Sequence, residues 1–217
     1  MIILICVNLF FPVVYAGRRN IYTEKFENVA EGSLPKGWTI KPGTKSDIAS
    51  VENGFVDQGK KSLKLKETTD GSSVWVRSPN FRTYIVDDFM VSFSFRIVGD
   101  DSARAVFILL DEREDKAIGI NCRLRDNWRY STKMSLWYDI PNLPTPEAGE
   151  LYEVTIRVDT RNNWMNVEVN DVESGWIPIW KSWDYISKIG FHNNDRHPSE
   201  FWIDDINIRL VHNKKIK

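Results

Sequence analysis

Cysteine is nearly absent: of two in the 217-residue chain, Cys6 lies in an apolar leader and Cys122 stands alone beyond it. An intramolecular disulfide is thereby excluded for the part after the leader, whose stability must come from core burial. Asn-x-Ser/Thr acceptor sequences are missing altogether, so nothing points to a eukaryotic secretory route, and both absences suit bacterial export. An excess of one charge is also missing. The 29 Lys and Arg oppose 30 Asp and Glu and are spread along the chain, which leaves no continuous footprint for nucleic acid or an anionic membrane. Beyond residue 16 no apolar run is long enough to cross a bilayer, and no stretch keeps a 3.6-residue apolar stripe, so helix is expected to be minor.

The leader MIILICVNLFFPVVYA (1–16) reads as a signal peptide, with Ala16 as the small residue before cleavage and Gly17, Arg18 and Arg19 directly after. It lacks Lys or Arg near Met1, so an uncleaved anchor or a start further upstream is the alternative. On this reading residues 17–217 form a single domain, secreted or held at the cell surface. That length suits one large β-sandwich. Apolar residues make up 42% and charged residues 27%, as in an ordinary globular protein. Nine Trp are more rigid aromatic surface than a core requires, and packing or ligand contact must account for the excess.

Period-two alternation runs from about residue 61 to the C-terminus. Leu63 and Leu65 alternate with lysines. Phe89, Val91, Phe93, Phe95 and Ile97 share one face against Ser92, Ser94 and Arg96. Tyr152, Val154, Ile156 and Val158 repeat the pattern, Asp159 to Asn163 has hairpin-turn chemistry, and Met165, Val167 and Val169 return. Residues 103–110 are apolar on both faces, which predicts a central strand covered on each side, and the acidic cluster 111–115 turns into a strand bearing Ile118, Ile120, Cys122 and Leu124 inward. Cys122 is then a buried small hydrophobe. Shorter strands are expected around Trp75, Trp128 to Tyr130, Trp137, Ile189 and Trp202 to Ile208. Many short strands with turns between them predict an all-β, two-sheet antiparallel sandwich.

Phe26-Glu27, Leu34-Pro-Lys-Gly-Trp38, Gly59-Lys-Lys-Ser-Leu-Lys-Leu65 and Phe201-Trp-Ile-Asp-Asp-Ile-Asn-Ile208 resemble the bookends of bacterial jelly-roll modules. Gly149 to Asp159 with the return Trp164 to Val169 resembles the paired strands of concanavalin A-like and laminin-G-like domains. The resemblance implies a lectin-like, carbohydrate-binding jelly roll with a polysaccharide or other glycan as partner. It also implies a structural Ca²⁺ held by a carboxylate of the first strand and one of the last, here Glu27 with Asp204 or Asp205. The other reading of Asp204 and Asp205 is a β-bulge closed by local hydrogen bonds.

A catalytic constellation is not found. Glycosidases of the concanavalin A-like class carry Glu-x-Asp-x-(x)-Glu on one strand, and that spacing is absent. Glu112 and Glu114 come nearest, in a charged turn. A nucleophile elbow, a phosphate loop and the alginate-lyase strand pattern are missing too. His192, Asp195 and His197 could assemble a metal or acid–base site, but they also read as a polar loop before Pro198. Sugar rings stack their C–H faces on aromatics and bond their hydroxyls to planar polar groups. Residues of both kinds are expected on two neighbouring outward faces: Asn121, Arg123 and Arg125 followed by Trp128, Tyr130 and Trp137, and Trp164 and Asn166 beside Arg157. The first reading is therefore a noncatalytic glycan-binding module. A structural or adhesive protein-binding sandwich is second, and a glycan-degrading hydrolase or lyase third.

Overall fold

A computed structural model describes residues 19–41, 44, 46–54, 59–69, 71, 73–81, 85–132, 136–180, 183–194 and 198–211. The leader 1–16, Asp195 and His197 lie outside the described residues. Those described hold fifteen strands and no helix: β1 (Arg19–Glu24), β2 (Thr39–Lys41), β3 (Ile48–Asn53), β4 (Lys61–Lys66), β5 (Ser73–Arg77), β6 (Phe89–Val98), β7 (Arg104–Asp111), β8 (Lys116–Arg123), β9 (Trp128–Thr132), β10 (Tyr138–Asp139), β11 (Leu151–Asp159), β12 (Trp164–Val169), β13 (Val172–Pro178), β14 (Ile186–Asn194) and β15 (Glu200–Leu210). No helix among them is long and apolar enough to cross a membrane.

Every pairing is antiparallel, and the strands divide into two sheets. One sheet runs β13-β12-β11-β6-β15-β4-β3, with β1 also on β15, and the other runs β10-β9-β8-β7-β14-β5-β2. This is the all-β jelly-roll-like sandwich expected from the alternation. The hairpin β11–β12 turns where expected, because the Asp159 carboxylate accepts from the amides of Arg161 and Asn162 while Asn163 takes φ 58°.

Strand β15 is long enough to hold two partners on one edge. Glu200 to Ile203 pair with β4, and Ile206 to Leu210 pair with β1. Between them the register against β6 slips at Asp204/Asn207, and Asp205 sits at φ 50° with its amide donating to Asp204 Oδ1 at 2.7 Å. This is a β-bulge closed locally, and it redirects the strand.

The core lies between the sheets. Phe93 meets Phe107 at 4.4 Å between ring centroids, Phe95 meets Phe107 at 5.0 Å and Phe201 at 5.7 Å, and Phe107 meets Phe191 at 5.9 Å. Strand β7 is central and apolar on both sides: Ala105, Phe107 and Leu109 join the core, while Val106, Ile108 and Leu110 form a small buried cluster on the outer side under Trp75. Cys122 is fully buried, and burial pushes its thiol pKa well up. In native buffer the thiol is expected to resist a maleimide reagent and to react promptly once urea unfolds the chain. Rapid native labelling would contradict the burial.

Candidate functional site

Because alternate residues of a strand face opposite sides, the inward set Ile118, Ile120 and Cys122 turns Gly119, Asn121 and Arg123 outward on β8. Antiparallel register then aligns outward residues across the seven-stranded sheet. One row reads Trp75, His192, Val106, Asn121, Arg129 and Asp139, from β5 to β10. A parallel row reads Arg77, Gly190, Ile108, Gly119 and Ser131.

Gly119 makes room for an aromatic. A Cβ there would lie 3.3 Å from Trp137 Cη2 and 3.0 Å from Lys116 Cδ, so the glycine lets the edge of the indole and the lysine stem approach the sheet closely. Trp137 remains 37% exposed. The Lys116 ammonium stands 4.8 Å from its ring centroid and donates to Ser131 Oγ at 2.8 Å, and desolvation lowers its pKa. Across the sheet Trp75 and His192 stack with centroids 3.8 Å apart and planes 3° from parallel. Burial, chiefly, pushes His192 down to about 4, so the ring is neutral at physiological pH.

Cations and carboxylates alternate along this face. Arg129 donates to Asp139 at 2.9 Å and ion-pairs with Asp126 at 3.4 Å, and Asp126 also accepts from Arg123. Glu114 pairs with Lys188 and Arg77, which together lower its pKa, Lys188 most. Asn121 Oδ1 and Arg123 Nε are buried with no protein partner. Each leaves hydrogen-bonding capacity unused on the outward side of β8, at a cost of about 1–3 kcal/mol where no water completes it.

Of the residues expected to bind sugar, Asn121, Arg123 and Trp137 share this outer face, with Trp137 against Gly119 and the other two further along β8. Trp128 and Tyr130 do not join them. Register places Trp128 opposite Cys122 and Tyr130 opposite Ile120, on the core side. Trp128 is 1% exposed and donates Nε1–H to Pro144 O, and Tyr130 packs on the core and donates to Pro178 O at 3.2 Å. Arg125 sits in the turn after β8 at φ 52°, exposed and paired with Asp101 at 2.7 Å. Arg157, Trp164 and Asn166 lie on the outer face of the eight-stranded sheet, so the two expected faces are on opposite sides of the sandwich rather than neighbours. There Arg157 is held by Glu168 and by Glu173.

The carboxylates singled out for calcium have protein partners. Glu27 Oε1 accepts from the amides of Lys60 at 2.7 Å and Lys61 at 3.0 Å, which lower its pKa, and Asp205 pairs with Lys25 at 3.2 Å. Among the described residues no group of three or more His, Cys, Asp or Glu is arranged to hold a metal ion. His192, read as part of a loop, is in β14. Trp75, Lys116, Gly119 and Arg129 were not singled out by sequence. Their signal was present in part, since the inward Val74 and Val76 put Trp75 outward and the inward Ile189 and Phe191 do the same for His192.

No family model and no curated protein matches the chain. Solved structures do. A sialidase aligns over 87% of this chain at 17% identity and a TM-score of 0.65, and this chain spans only 18% of that protein. A structure from work on endo-acting O-glycanases of the human gut microbiota aligns over 89% of this chain and 100% of its own at 10% identity and a TM-score of 0.66. The basic winged bean lectin, solved with Tn-antigen, aligns over 87% of this chain and 97% of its own at 10% identity and a TM-score of 0.57. At these identities the likeness is one of fold.

Proposed function

We propose that the chain is an exported, noncatalytic carbohydrate-binding module. Its site is the outer face of the seven-stranded sheet, where a pyranose stacks on Trp137 and its hydroxyls bond Asn121, Arg123 and Arg129. The observation that carries this reading is an indole, 37% exposed, packed against a glycine on an outer face that also carries Asn121, Arg123 and Arg129. Similar folds in a lectin, a sialidase and an O-glycanase study make a glycan the chemistry to test first. Recognition is favoured over hydrolysis by the state of the carboxylates. Glu114, Asp126 and Asp139 are each tied to cations, and Glu114 has its pKa lowered, whereas a general acid needs one raised.

The test is a glycan array followed by affinity gel electrophoresis of the purified chain on the best polysaccharide. Trp137→Ala is expected to weaken retention about tenfold or more, and Asn121→Ala severalfold, with thermal stability preserved. Failure of the folded protein to bind any glycan offered would sink the reading. Release of reducing ends from a bound glycan would overturn its noncatalytic half.

A further inference from the structure

A second aromatic surface lies on the other sheet. Along β13 and just beyond it exposure alternates: Ile177 and Ile179 are buried, while Trp176 is 54% and Trp180 is 81% exposed, with Pro178 also exposed between them. The ladder continues past the strand end through Ile179 N–H to Asn163 O at 2.8 Å, which keeps Trp180 on the same side as Trp176. Trp164 of β12, 39% exposed, is directly opposite Pro178. By this register Trp176 and Trp180 take the two diagonal positions to Trp164, spaced about 13 Å apart along the chain on either side of Pro178. Large indoles are seldom left this open, and three in one place call for an occupant.

The surroundings narrow what that occupant is. Another strand is disfavoured, because Pro178 has no N–H to offer, Gly175 takes φ 76°, and the register slips between Asn166 and Glu168, so the edge is bent and interrupted. An anionic surface is disfavoured as well. Beside the patch Arg157 is already held by Glu168 and Glu173, and Asp159 stands directly opposite Trp164, which sets one cation against three carboxylates. What remains is an exposed aromatic face bordered by more carboxylates than cations, which suits a neutral partner better than an anionic one. We propose that Trp164, Trp176 and Trp180 form an open platform for successive sugar rings of an extended neutral polysaccharide, separate from the Trp137 site and on the opposite sheet.

Depletion isotherms on insoluble cellulose and chitin test the platform. They are run alongside sedimentation equilibrium and flotation with phosphatidylcholine vesicles. The wild-type chain is expected to partition onto at least one of the two polymers. Trp176→Ala/Trp180→Ala is expected to lower that partitioning about tenfold or more, while leaving binding of short soluble glycans at Trp137 unchanged. Because Trp180 is so exposed, Trp180→Ala alone keeps the test valid should the double variant fold poorly. The platform is overturned if the variant partitions like wild type or if neither polymer retains the wild-type chain. It is equally overturned if the wild type is a dimer that the substitutions dissociate, or if it floats with vesicles. Loss of soluble-glycan binding in Trp137→Ala with platform retention intact, or the reverse, separates failure of one site from failure of the other.

Discussion

Trp128→Ala is expected to lower unfolding free energy by about 3–5 kcal/mol, the range for deleting a buried Trp, whereas Trp137→Ala is expected to leave it within about 0.5–1 kcal/mol. The two residues sit nine positions apart and differ in what surrounds them. Trp128 meets Phe95 edge-on at 5.7 Å and Tyr152 at 6.0 Å between centroids, and its Nε1–H satisfies Pro144 O at 2.9 Å. Truncation removes the ring contacts that Trp128 makes across to the eight-stranded sheet, leaves a cavity and orphans a carbonyl. For a chain of this size the loss corresponds to a fall in melting temperature of roughly 6–20 °C, taking about 2–4 °C per kcal/mol. Trp128→Phe keeps most of the ring contact and is expected to cost less than half as much. Urea unfolding followed by circular dichroism measures all three. A Trp128→Ala shift below about 1 kcal/mol would mean the residue is not the core anchor its burial indicates.

The same contrast explains what could be read from the chain and what could not. Alternation in residues 89–97, 151–158 and 164–169 identified the strands, because inward Phe, Val and Ile against outward Ser, Thr and Asn is a local signal. Residues 103–110 were legible as a central strand for the same reason, being apolar on both sides. Strands β1 to β3 escaped, since Arg19–Glu24 carries no alternation and gains its partner only across the bulge of β15, nearly two hundred residues later. Local alternation sufficed for Trp164, ahead of the inward Met165, Val167 and Val169 of its own strand, but not for Trp128. Trp128 looks outward or inward according to its pairing with Cys122, and register is a tertiary property. The relation of Asn121 to Arg157 failed similarly: each lies on an outward face, but only sheet membership shows that those faces are on opposite sides. The stacking of Trp75 on His192 likewise required β5 and β14 to be neighbours.

That stack gives the second large effect, which depends on pH. The His192 ring lies flat against Trp75 and is 5% exposed, and its pKa falls from 6.5 to about 4, mainly by desolvation, with the Lys116 ammonium adding to the fall. Between those two values the unfolded chain binds a proton that the folded chain refuses, so stability rises with pH across this window. The contribution is present in full above about pH 6.5, is lost as pH falls toward 4, and levels off below. Its total is about 3 kcal/mol, of which about 2 kcal/mol is gone by pH 5. The carboxylates whose pKa values are lowered, Glu27, Glu114, Glu200 and Asp159, change stability in the same direction. Their effect begins only as pH falls through the ordinary carboxylate range near 4, so it does not mask the histidine between pH 6.5 and 5. His192→Phe retains a flat ring against Trp75 and removes the titration. Urea midpoints at pH 7.5, 6.0 and 5.0 should therefore decline for the wild-type chain and stay nearly level for the variant. A variant that keeps the wild-type slope, or a His192 proton signal with its midpoint near 6.5, would show that the ring is open to water and that the Trp75 wall of the outer face is not closed.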